Sequence, residues 1–260
     1  MKIGMFGCGN MGSALAHGMR AGNPQLEFYC FTPSRMSAQR LAHELNGHFV
    51  EHLIDMPQDL DWYILGFKPQ SLSEFNFSFD PNAKVLSMLA GTPIEKIKQR
   101  LKVENVARIM PNTPSALGLG ANLFYAHFDC SELISALSGT GEIFNLGSED
   151  ELDTLTAFSG SGPALIFEFA RLFEKHLLQL APQSKEARKI IAQTFYGSAT
   201  LLKRSLDAGV SPEELRDQVT SKKGVTMEAL NILEKNNLDH IVGGAFNAAY
   251  KRTIELKKGI

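Results

Sequence analysis

The amino-acid sequence predicts an α/β protein in which a doubly wound, mostly parallel sheet in the N-terminal half is followed by an all-helical C-terminal half. Up to Gly147, short apolar runs alternate with segments whose apolar residues recur at helical spacing. This alternation is typical of parallel strands joined by right-handed helical crossovers. Beyond Gly147 the strand patterns stop, while helical periodicity continues. We therefore expect two domains, residues 1–149 and residues 150–260.

The individual elements follow from the spacing of apolar residues and from the residues that interrupt it. Strands buried between two layers of helices are apolar on both faces, as in the run WYILGF at residues 62–67. Ser34 is expected to cap the second helix. The predicted strands are residues 2–6, 26–31, 62–67, 84–90, 105–110, 120–127 and 142–146. The predicted helices are residues 10–21, 35–45, 93–101, 131–140, 150–158, 162–181, 184–207, 211–219, 225–236 and 239–257.

Composition places the chain among ordinary globular proteins. Of its 260 residues, 44% are hydrophobic and 21% are charged, and the formal net charge is −2. A nucleic-acid surface needs clustered basic side chains, and the basic clusters here are short, as in the pairs Lys222–Lys223 and Lys257–Lys258. The most apolar later stretch, residues 159–172, is interrupted by Glu168 and Arg171 and is too short to cross a bilayer. Because no signal peptide precedes the first strand, we expect a cytoplasmic protein that binds neither nucleic acid nor membrane.

The cysteines and histidines do not suggest a metal centre or a disulfide framework. None of the three cysteines forms a CxxC pair, and the seven histidines lack the spacing of metal ligands. We therefore expect no bound metal.

A glycine motif between the first strand and the first helix indicates a nucleotide site. Gly7, Gly9 and Gly12 form GxGxxG in the strand–turn–helix context that gives this motif its meaning. The first glycine allows the tight turn, the second lets a pyrophosphate approach the backbone, and the third allows close packing of helix and strand. A glycine-rich turn without a ligand is the alternative, which the context disfavours. The predicted dinucleotide-binding residues of this Rossmann-type domain are Gly7, Gly9, Asn10, Met11 and Gly12.

The end of the second strand bears on the choice of cofactor. An acid at this position binds the ribose hydroxyls of NAD and repels the 2′-phosphate of NADP. The sequence has no acid here, and instead offers Thr32, Ser34 and Arg35, whose hydroxyl and guanidinium groups suit a phosphate. We predict NADPH as the preferred cofactor, with NADH as the alternative. A helix-capping Ser34 and a solvated Arg35 would be compatible with these roles.

Five further segments match, in order along the chain, the patterns of one family. The segments are Phe67–Gln70 (FKPQ), Ala90–Gly91, Arg108–Pro114 (RIMPNTP), Phe158–Ala164 (FSGSGPA), and Leu215–Val219 followed by Gly224–Thr226. Together with the glycine motif they cover almost the whole chain, which resembles the pyrroline-5-carboxylate reductases. The last segment departs from the family pattern S-P-G-G-x-T, because Lys222 and Lys223 stand in place of proline and glycine.

The resemblance implies that the protein reduces 1-pyrroline-5-carboxylate to L-proline, the last step of proline biosynthesis. A cyclic imine can bind already protonated. The reaction then needs a positioned hydride donor, groups that bind the carboxylate and a polar group at the ring nitrogen. The resemblance implies that Ser221 and the backbone of Gly224, Val225 and Thr226 bind the carboxylate, and that the Thr226 hydroxyl, as the catalytic group, contacts the nitrogen. Thr226 as a plain helix-start residue and Gly224 as a turn glycine are the alternative.

Six other residues are candidates for lining the cofactor. They lie after predicted strands or beside the late segment, and Asn112 is expected to orient the nicotinamide end. The candidates are Lys68, Pro69, Ala90, Gly91, Asn112 and Gln218.

Three other functions remain open at this stage. A two-domain 3-hydroxyacid dehydrogenase would carry a catalytic lysine near the start of the second domain, and residues 163–169 contain none. A related imine reductase with a different cyclic substrate is a closer alternative, which the Lys222–Lys223 departure leaves open. A non-catalytic nucleotide sensor is disfavoured by the intact Gly224 and Thr226.

The helical half also predicts self-association. Segments such as residues 199–202 and 241–246 are apolar on more than one face, and about 110 residues of helix cannot easily bury that surface alone. The resemblance implies a homodimer, or a higher homo-oligomer, formed through the C-terminal helices.

Overall fold

The computed structural model describes residues 1–259, and its core is one eight-stranded sheet. The strands are β1 Lys2–Phe6, β2 Glu27–Phe31, β3 His48–Phe49, β4 Trp62–Leu65, β5 Lys84–Ser87, β6 Asn105–Met110, β7 Gly120–Tyr125 and β8 Gly141–Asn145. The α-helices are α1 Asn10–Gly22, α2 Met36–Glu44, α3 Ile94–Leu101, α4 Ser131–Leu137, α5 Glu149–Ser159, α6 Gly162–Leu180, α7 Ala187–Leu206, α8 Pro212–Gln218, α9 Val225–Lys235 and α10 Leu238–Gly259.

The sheet has the doubly wound topology predicted from the sequence. The strand order is β3-β2-β1-β4-β5-β6-β7-β8. All neighbours from β3 to β6 pair in parallel, β7 runs antiparallel to β6, and β8 is parallel to β7. The chain winds outward from β1 in both directions, so β1 and β4 flank the position where the strand order reverses. In open α/β sheets, ligands bind beyond the carboxyl ends of the strands at this position. The predicted fold class is therefore confirmed.

Two apolar clusters cover the two faces of this sheet. Because successive residues of a strand point to opposite faces, Met5 and Phe6 of β1 enter different clusters. Met5 packs in a cluster that draws on α1, α2 and α4. Phe6 packs with aromatic rings, including Tyr63 at 6.0 Å and Phe77 at 5.0 Å between ring centroids. Burial of these large side chains supplies most of the driving force for folding of this region.

Several local features differ from the sequence-based prediction. The short strand β3 was not predicted, because two residues are too few to show a periodic pattern. The strand predicted at residues 84–90 ends at Ser87, before a turn in which Gly91 has φ +67°. The helix predicted at residues 131–140 ends at Leu137 and continues as a 3₁₀ turn. There the backbone of Gly139 lies so close to that of Gly22 that a Cβ on Gly22 would stand 2.5 Å from the Gly139 Cα.

The predicted cap of α2 is wrong. Arg35, not Ser34, is the residue that precedes the first helical position, and no side-chain hydrogen bond caps the helix. The backbone of Arg35 has φ +56° and ψ −52°, a conformation that residues with a Cβ rarely adopt. The Ser34 hydroxyl lies instead 3.2 Å from that of Ser37.

The chain forms two compact units. The first comprises Met1–Pro163 together with the chain from Ala248 onward, and the second is Ala164–Asn247. The predicted division at residue 150 follows the change in secondary structure, whereas the first unit also contains α5. The reason is contact: Leu152 of α5 is fully buried and packs with Met110 and Leu123.

The second unit leaves much apolar surface exposed. Of its described side chains, none in α6, α8 or α9 is buried. Large apolar side chains that are more than half exposed include Ile166, Phe167, Phe173, Ile190, Tyr196, Leu201 and Ile241. Among the described residues, no helix combines the length and apolar composition that crossing a bilayer requires.

Candidate nucleotide and carboxylate sites

The glycine motif forms the turn between β1 and α1, and two of its glycines are required by the protein's own packing. Gly7 has φ +101°, and a Cβ there would lie 2.5 Å from the backbone of Gly66 and Phe67. A Cβ on Gly12 would lie 2.5 Å from the Gly7 carbonyl oxygen. Any larger residue at these positions would push α1 away from the strands.

Gly9 differs from its two neighbours in the motif, because a Cβ added there would meet no protein atom within 4 Å. Its φ of −74° is ordinary for any residue. Neither packing nor backbone conformation therefore requires glycine here, whereas a ligand approaching the backbone would. Gly9 also precedes the N-terminus of α1, where its carbonyl accepts the first helical hydrogen bond from Ser13 at 2.8 Å.

The start of α1 suits an anion. The amides of Asn10, Met11 and Gly12 lie in the first turn, where helix geometry provides no intrahelical acceptor. Within the described chain, no side chain caps this end and no acidic residue lies in its first turn. The unpaired amides and the positive end of the helix dipole together suit a phosphate group. The described residues thus fit the pyrophosphate of a dinucleotide.

The end of β2 is attached to the glycine turn. The Thr32 hydroxyl oxygen accepts a hydrogen bond from the Cys8 amide at 2.7 Å, and its own proton remains available to a ligand. Further along, Arg35 forms a salt bridge of 2.9 Å with Glu51, and both side chains are about half exposed. No sequence pattern predicted Glu51 at this position. The strand β3 positions Glu51 near Arg35, and its two residues are too few to show a periodic pattern in the sequence.

Two buried thiols lie beneath the glycine turn. The Cys8 thiol donates to the carbonyl of Phe31 at a distance of 3.6 Å. A hydrogen bond with Cys30 lowers the pKa of Cys8 and raises the pKa of Cys30, while burial raises the pKa of both. Both side chains are fully buried in the apolar cluster that contains Met5, so they support the turn rather than contact a ligand.

An aromatic cavity of about 310 Å³ adjoins the glycine turn. Its lining includes Gly7 of the glycine turn and Pro33, which follows β2. A cavity with flat apolar walls next to a phosphate-binding turn suits a planar base such as adenine. Leu53 and Phe75 were not predicted to line a site. The three phenylalanines within residues 75–79 could have indicated an aromatic surface here. The remaining lining residues are Phe6, Phe31, Phe67, Ser71, Glu74 and Asn76.

The candidates after β4 and β5 differ in their surroundings. Lys68 is exposed and precedes a 3₁₀ turn that begins at Pro69, at the carboxyl end of β4. Ala90 is partly buried and Gly91 is buried, both following β5. A Cβ on Gly91 would lie 2.9 Å from the backbone nitrogen of Lys257, so close approach of α10 also requires this glycine.

Asn112, after β6, holds its own turn in place. Its side-chain oxygen accepts from the amide of Ala121 at 3.0 Å, and its side-chain nitrogen donates to the carbonyl of Ser159 at 3.2 Å. One amide proton remains for a ligand, so the predicted contact with the nicotinamide end stays a prediction.

The second unit contains the candidate carboxylate site. Ser221–Gly224 forms a turn closed by a 2.9 Å hydrogen bond from the Gly224 amide to the Ser221 carbonyl. Gly224 precedes α9, and a Cβ there would collide with the Ser221 hydroxyl. Lys223, which stands where the family pattern has glycine, has φ +61°. The turn therefore adopts at this lysine a conformation that glycine adopts readily.

The first turn of α9 is open to solvent. Val225 is 92% exposed, and Thr226 is also exposed. No side chain of the described residues caps this helix, so its first amides are available to a carboxylate. Gln218 ends α8 and is exposed. Within residues 1–259, no group of three or more His, Cys, Asp or Glu side chains is arranged to bind a metal.

Comparison with known families gives two matches along the chain. Residues 149–256 match the family described as pyrroline-5-carboxylate reductase dimerisation, and residues 2–91 match the family described as NADP oxidoreductase, coenzyme F420-dependent.

Individual relatives agree over the full length. Pyrroline-5-carboxylate reductase of Pseudomonas aeruginosa is 32% identical over 266 residues, covering 98% of this chain and 96% of that protein. The crystal structure of 1-pyrroline-5-carboxylate reductase from Streptococcus pyogenes superposes with a TM-score of 0.86 at 26% identity, covering 98% of both chains. Pyrroline carboxylate reductase of Plasmodium falciparum, solved with NADP bound, has the same fold, with a TM-score of 0.82 at 24% identity over 99% of this chain and 98% of that one.

Proposed function

This chain belongs to the pyrroline-5-carboxylate reductase family, and on that premise we propose that it reduces 1-pyrroline-5-carboxylate to L-proline, the last step of proline biosynthesis. The electron donor is NADPH, with NADH as the alternative. One observation of the structure carries the proposal furthest. Gly9 is a glycine that no protein atom requires, at the start of an uncapped helix, and the turn to which it belongs borders an aromatic cavity at Gly7. That combination fits a dinucleotide.

The residues of the first unit bind and orient the cofactor, which supplies the hydride when bound. The amides of Asn10, Met11 and Gly12 bind the pyrophosphate, and Gly9 leaves room for it. The end of β2, with Thr32, Ser34 and Arg35, contacts the adenosine ribose and its 2′-phosphate. Lys68, Pro69, Ala90, Gly91 and Asn112 line the strand ends toward the nicotinamide, and Gln218 is the additional cofactor contact proposed for the second unit.

The turn before α9 binds the substrate carboxylate. The amides of Val225 and Thr226 stand at the positive end of a helix. The Gly224 amide already donates to the Ser221 carbonyl at 2.9 Å, so Gly224 borders the site as a residue without a side chain, next to the Ser221 hydroxyl. The Thr226 hydroxyl contacts the ring nitrogen and orients the protonated imine. Because the substrate enters as an iminium, hydride addition at carbon completes the amine without a protein acid. Residues 163–169 contain no lysine, which agrees with a reaction that needs no protein acid.

The protein forms a homo-oligomer, and its interface consists of helices of the second unit. Support comes from the dimerisation family matched by residues 149–256 and from the exposed apolar side chains of α6 and α7, which include Phe167 and Phe173. Exposed apolar area of this kind marks an association surface. Analytical ultracentrifugation tests this point, and a stable, active monomer would contradict it.

The decisive experiment is an NADPH-oxidation assay with 1-pyrroline-5-carboxylate. The expected product is L-proline, with NADPH preferred to NADH. Piperideine carboxylate and 3-hydroxy acids, the latter with NADP, serve as comparison substrates. Faster turnover of piperideine carboxylate would favour a related imine reductase, which the Lys222–Lys223 departure keeps as a second candidate. Absence of turnover with every imine would overturn the proposal.

A further inference from the structure

We propose that Glu51 sets the balance between NADPH and NADH by competing with the cofactor 2′-phosphate for the guanidinium group of Arg35. This inference rests on the proposed function, in which the end of β2 contacts the adenosine ribose. Nη1 of Arg35 lies 2.9 Å from Oε1 of Glu51. The positive charge that suits a 2′-phosphate is therefore already paired with a carboxylate of the protein.

The sheet brings Glu51 to this position. The strand β3 runs parallel to β2 with Phe49 opposite Cys30, and the Val50 amide donates to the Cys30 carbonyl at 2.9 Å. Two residues beyond this pair, Glu51 comes level with Thr32, where both strands leave the sheet at its carboxyl edge. Proteins that bind NAD carry an acid at the end of the second strand. Here the acid comes from the neighbouring strand instead.

The backbone of Arg35 is held in place while its side chain is accessible. The Arg35 amide donates to the Thr32 carbonyl at 2.9 Å, and its own carbonyl accepts from Gln39 at 2.8 Å. About half of the side chain is exposed. The guanidinium group can therefore exchange one anionic partner for another without rearrangement of the backbone.

The two cofactors interact with this pair in opposite ways. The 2′-phosphate of NADPH adds negative charge, and it gains the Arg35 guanidinium group only by taking it away from Glu51. The 2′-hydroxyl of NADH has no such conflict, because it can donate a hydrogen bond to a carboxylate. Glu51 thus lowers affinity for the phosphorylated cofactor and leaves the site open to both. Because the salt bridge is half exposed, we expect a modest effect of about two- to fivefold.

Calorimetric titration of the full-length protein with adenosine 2′,5′-bisphosphate and with 5′-ADP tests this inference without catalysis. The variants are Glu51→Gln, Arg35→Gln and the double variant. Glu27→Gln is the matched control, because it removes the same charge at the opposite end of β2 from an exposed residue. Glu51→Gln should bind the 2′,5′-bisphosphate about two- to fivefold more tightly and 5′-ADP with little change. This gain in affinity from Glu51→Gln should disappear when Arg35→Gln is also present. Glu27→Gln should bind both nucleotides as wild type does.

Two results would overturn this inference and leave the proposed function intact. One is a Glu51→Gln variant that binds the 2′,5′-bisphosphate no more tightly than wild type, and the other is an equal gain in the Arg35→Gln background. A wild-type protein that bound neither nucleotide would instead overturn the proposed cofactor, and this inference with it. The ratio of kcat/KM for NADPH to that for NADH gives a second readout and should rise in Glu51→Gln.

Discussion

Arg108 and Asp153 form an ion pair in the core, with 2.7 Å between Nη2 and Oδ1 and side-chain exposures of 0% and 2%. Nη1 of the same guanidinium group contacts Glu149 at 2.8 Å. Arg108 lies on β6 and both carboxylates lie on α5, so this pair attaches the helix to the sheet. The arginine of the RIMPNTP segment is therefore part of the fold of the first unit.

Removal of Arg108 should destabilise the protein strongly. Arg108→Met removes the closer of the two cations beside the buried Asp153 and leaves only Lys257, 3.2 Å from its Oδ2. Removing one partner of a buried ion pair typically costs about 3–5 kcal/mol in the free energy of unfolding, and the remaining lysine places the expected loss at the lower end of that range. Urea titration followed by circular dichroism measures the loss. Arg171→Met, which breaks an exposed pair with Glu168, is the control and should shift the midpoint little. Equal midpoints for Arg108→Met and wild type would contradict a stabilising role.

The contact between Lys257 and Asp150 should make stability depend on pH. A 2.6 Å hydrogen bond from Lys257 lowers the pKa of Asp150 below its ordinary value of 3.8. The same hydrogen bond raises the pKa of Lys257 above 10.5, with a further contribution from Asp153. Because the pKa of Asp150 is lowered in the folded state, its carboxylate stabilises the fold above the unfolded pKa. This contribution is lost as the pH falls through the folded pKa. Because the pKa of Lys257 is raised in the folded state, its ammonium group stabilises the fold below the unfolded pKa. This contribution is lost as the pH rises through the folded pKa.

Thermal midpoints of wild type and Lys257→Met, compared across pH, measure this effect. The difference between the two proteins should be largest between about pH 4 and pH 10 and should shrink beyond both ends of that window. A difference that stayed constant across the whole range would show that Lys257 acts through packing and not through its charge.

Replacement of single glycines in the motif should separate ligand binding from folding. Gly9→Ala should leave stability within about 1 kcal/mol of wild type, because its Cβ meets no protein atom. It should weaken NADPH binding about tenfold or more, equivalent to about 1.4 kcal/mol. Gly12→Ala should instead lower the free energy of unfolding by about 1–3 kcal/mol, since its Cβ would lie 2.5 Å from the Gly7 carbonyl oxygen.

Fluorescence titration with NADPH and thermal denaturation of both variants give the two readouts. A Gly9→Ala variant that bound NADPH as wild type does would mean that the cofactor does not approach this backbone.

Loss of the Thr226 hydroxyl should reduce turnover. Thr226→Ala should lower kcat about a hundredfold, the usual cost of removing one positioned hydrogen-bonding group, while the Kd of NADPH changes little. Thr226→Ser retains the hydroxyl and should recover most of the activity. Thr154→Ala, which alters an exposed threonine on α5, is the control. Unchanged turnover in Thr226→Ala would remove this residue from the mechanism.

Local sequence patterns were sufficient where structure depends on neighbouring residues. The strand–glycine–helix order at residues 2–22 predicted the turn between β1 and α1, because the conformational freedom of glycine and the start of a helix depend on a few consecutive residues. The turn before α9 was likewise predicted, from the family pattern, and the roles given there to Gly224 and Thr226 stay predictions. Ser34 as a helix cap was wrong, because the chain instead places Arg35 there with a positive φ.

What the sequence determined by itself is the alternation of strands and helices, the glycine turn and the family to which the chain is similar, because periodicity and short motifs are recorded in consecutive residues. The tertiary structure alone decided which distant residues meet. The register of β3 against β2 placed Glu51 beside Arg35, and the packing of α5 on the sheet paired Asp153 with Arg108. These contacts join residues 16 and 45 positions apart, and only the cooperative packing of the whole sheet determines them.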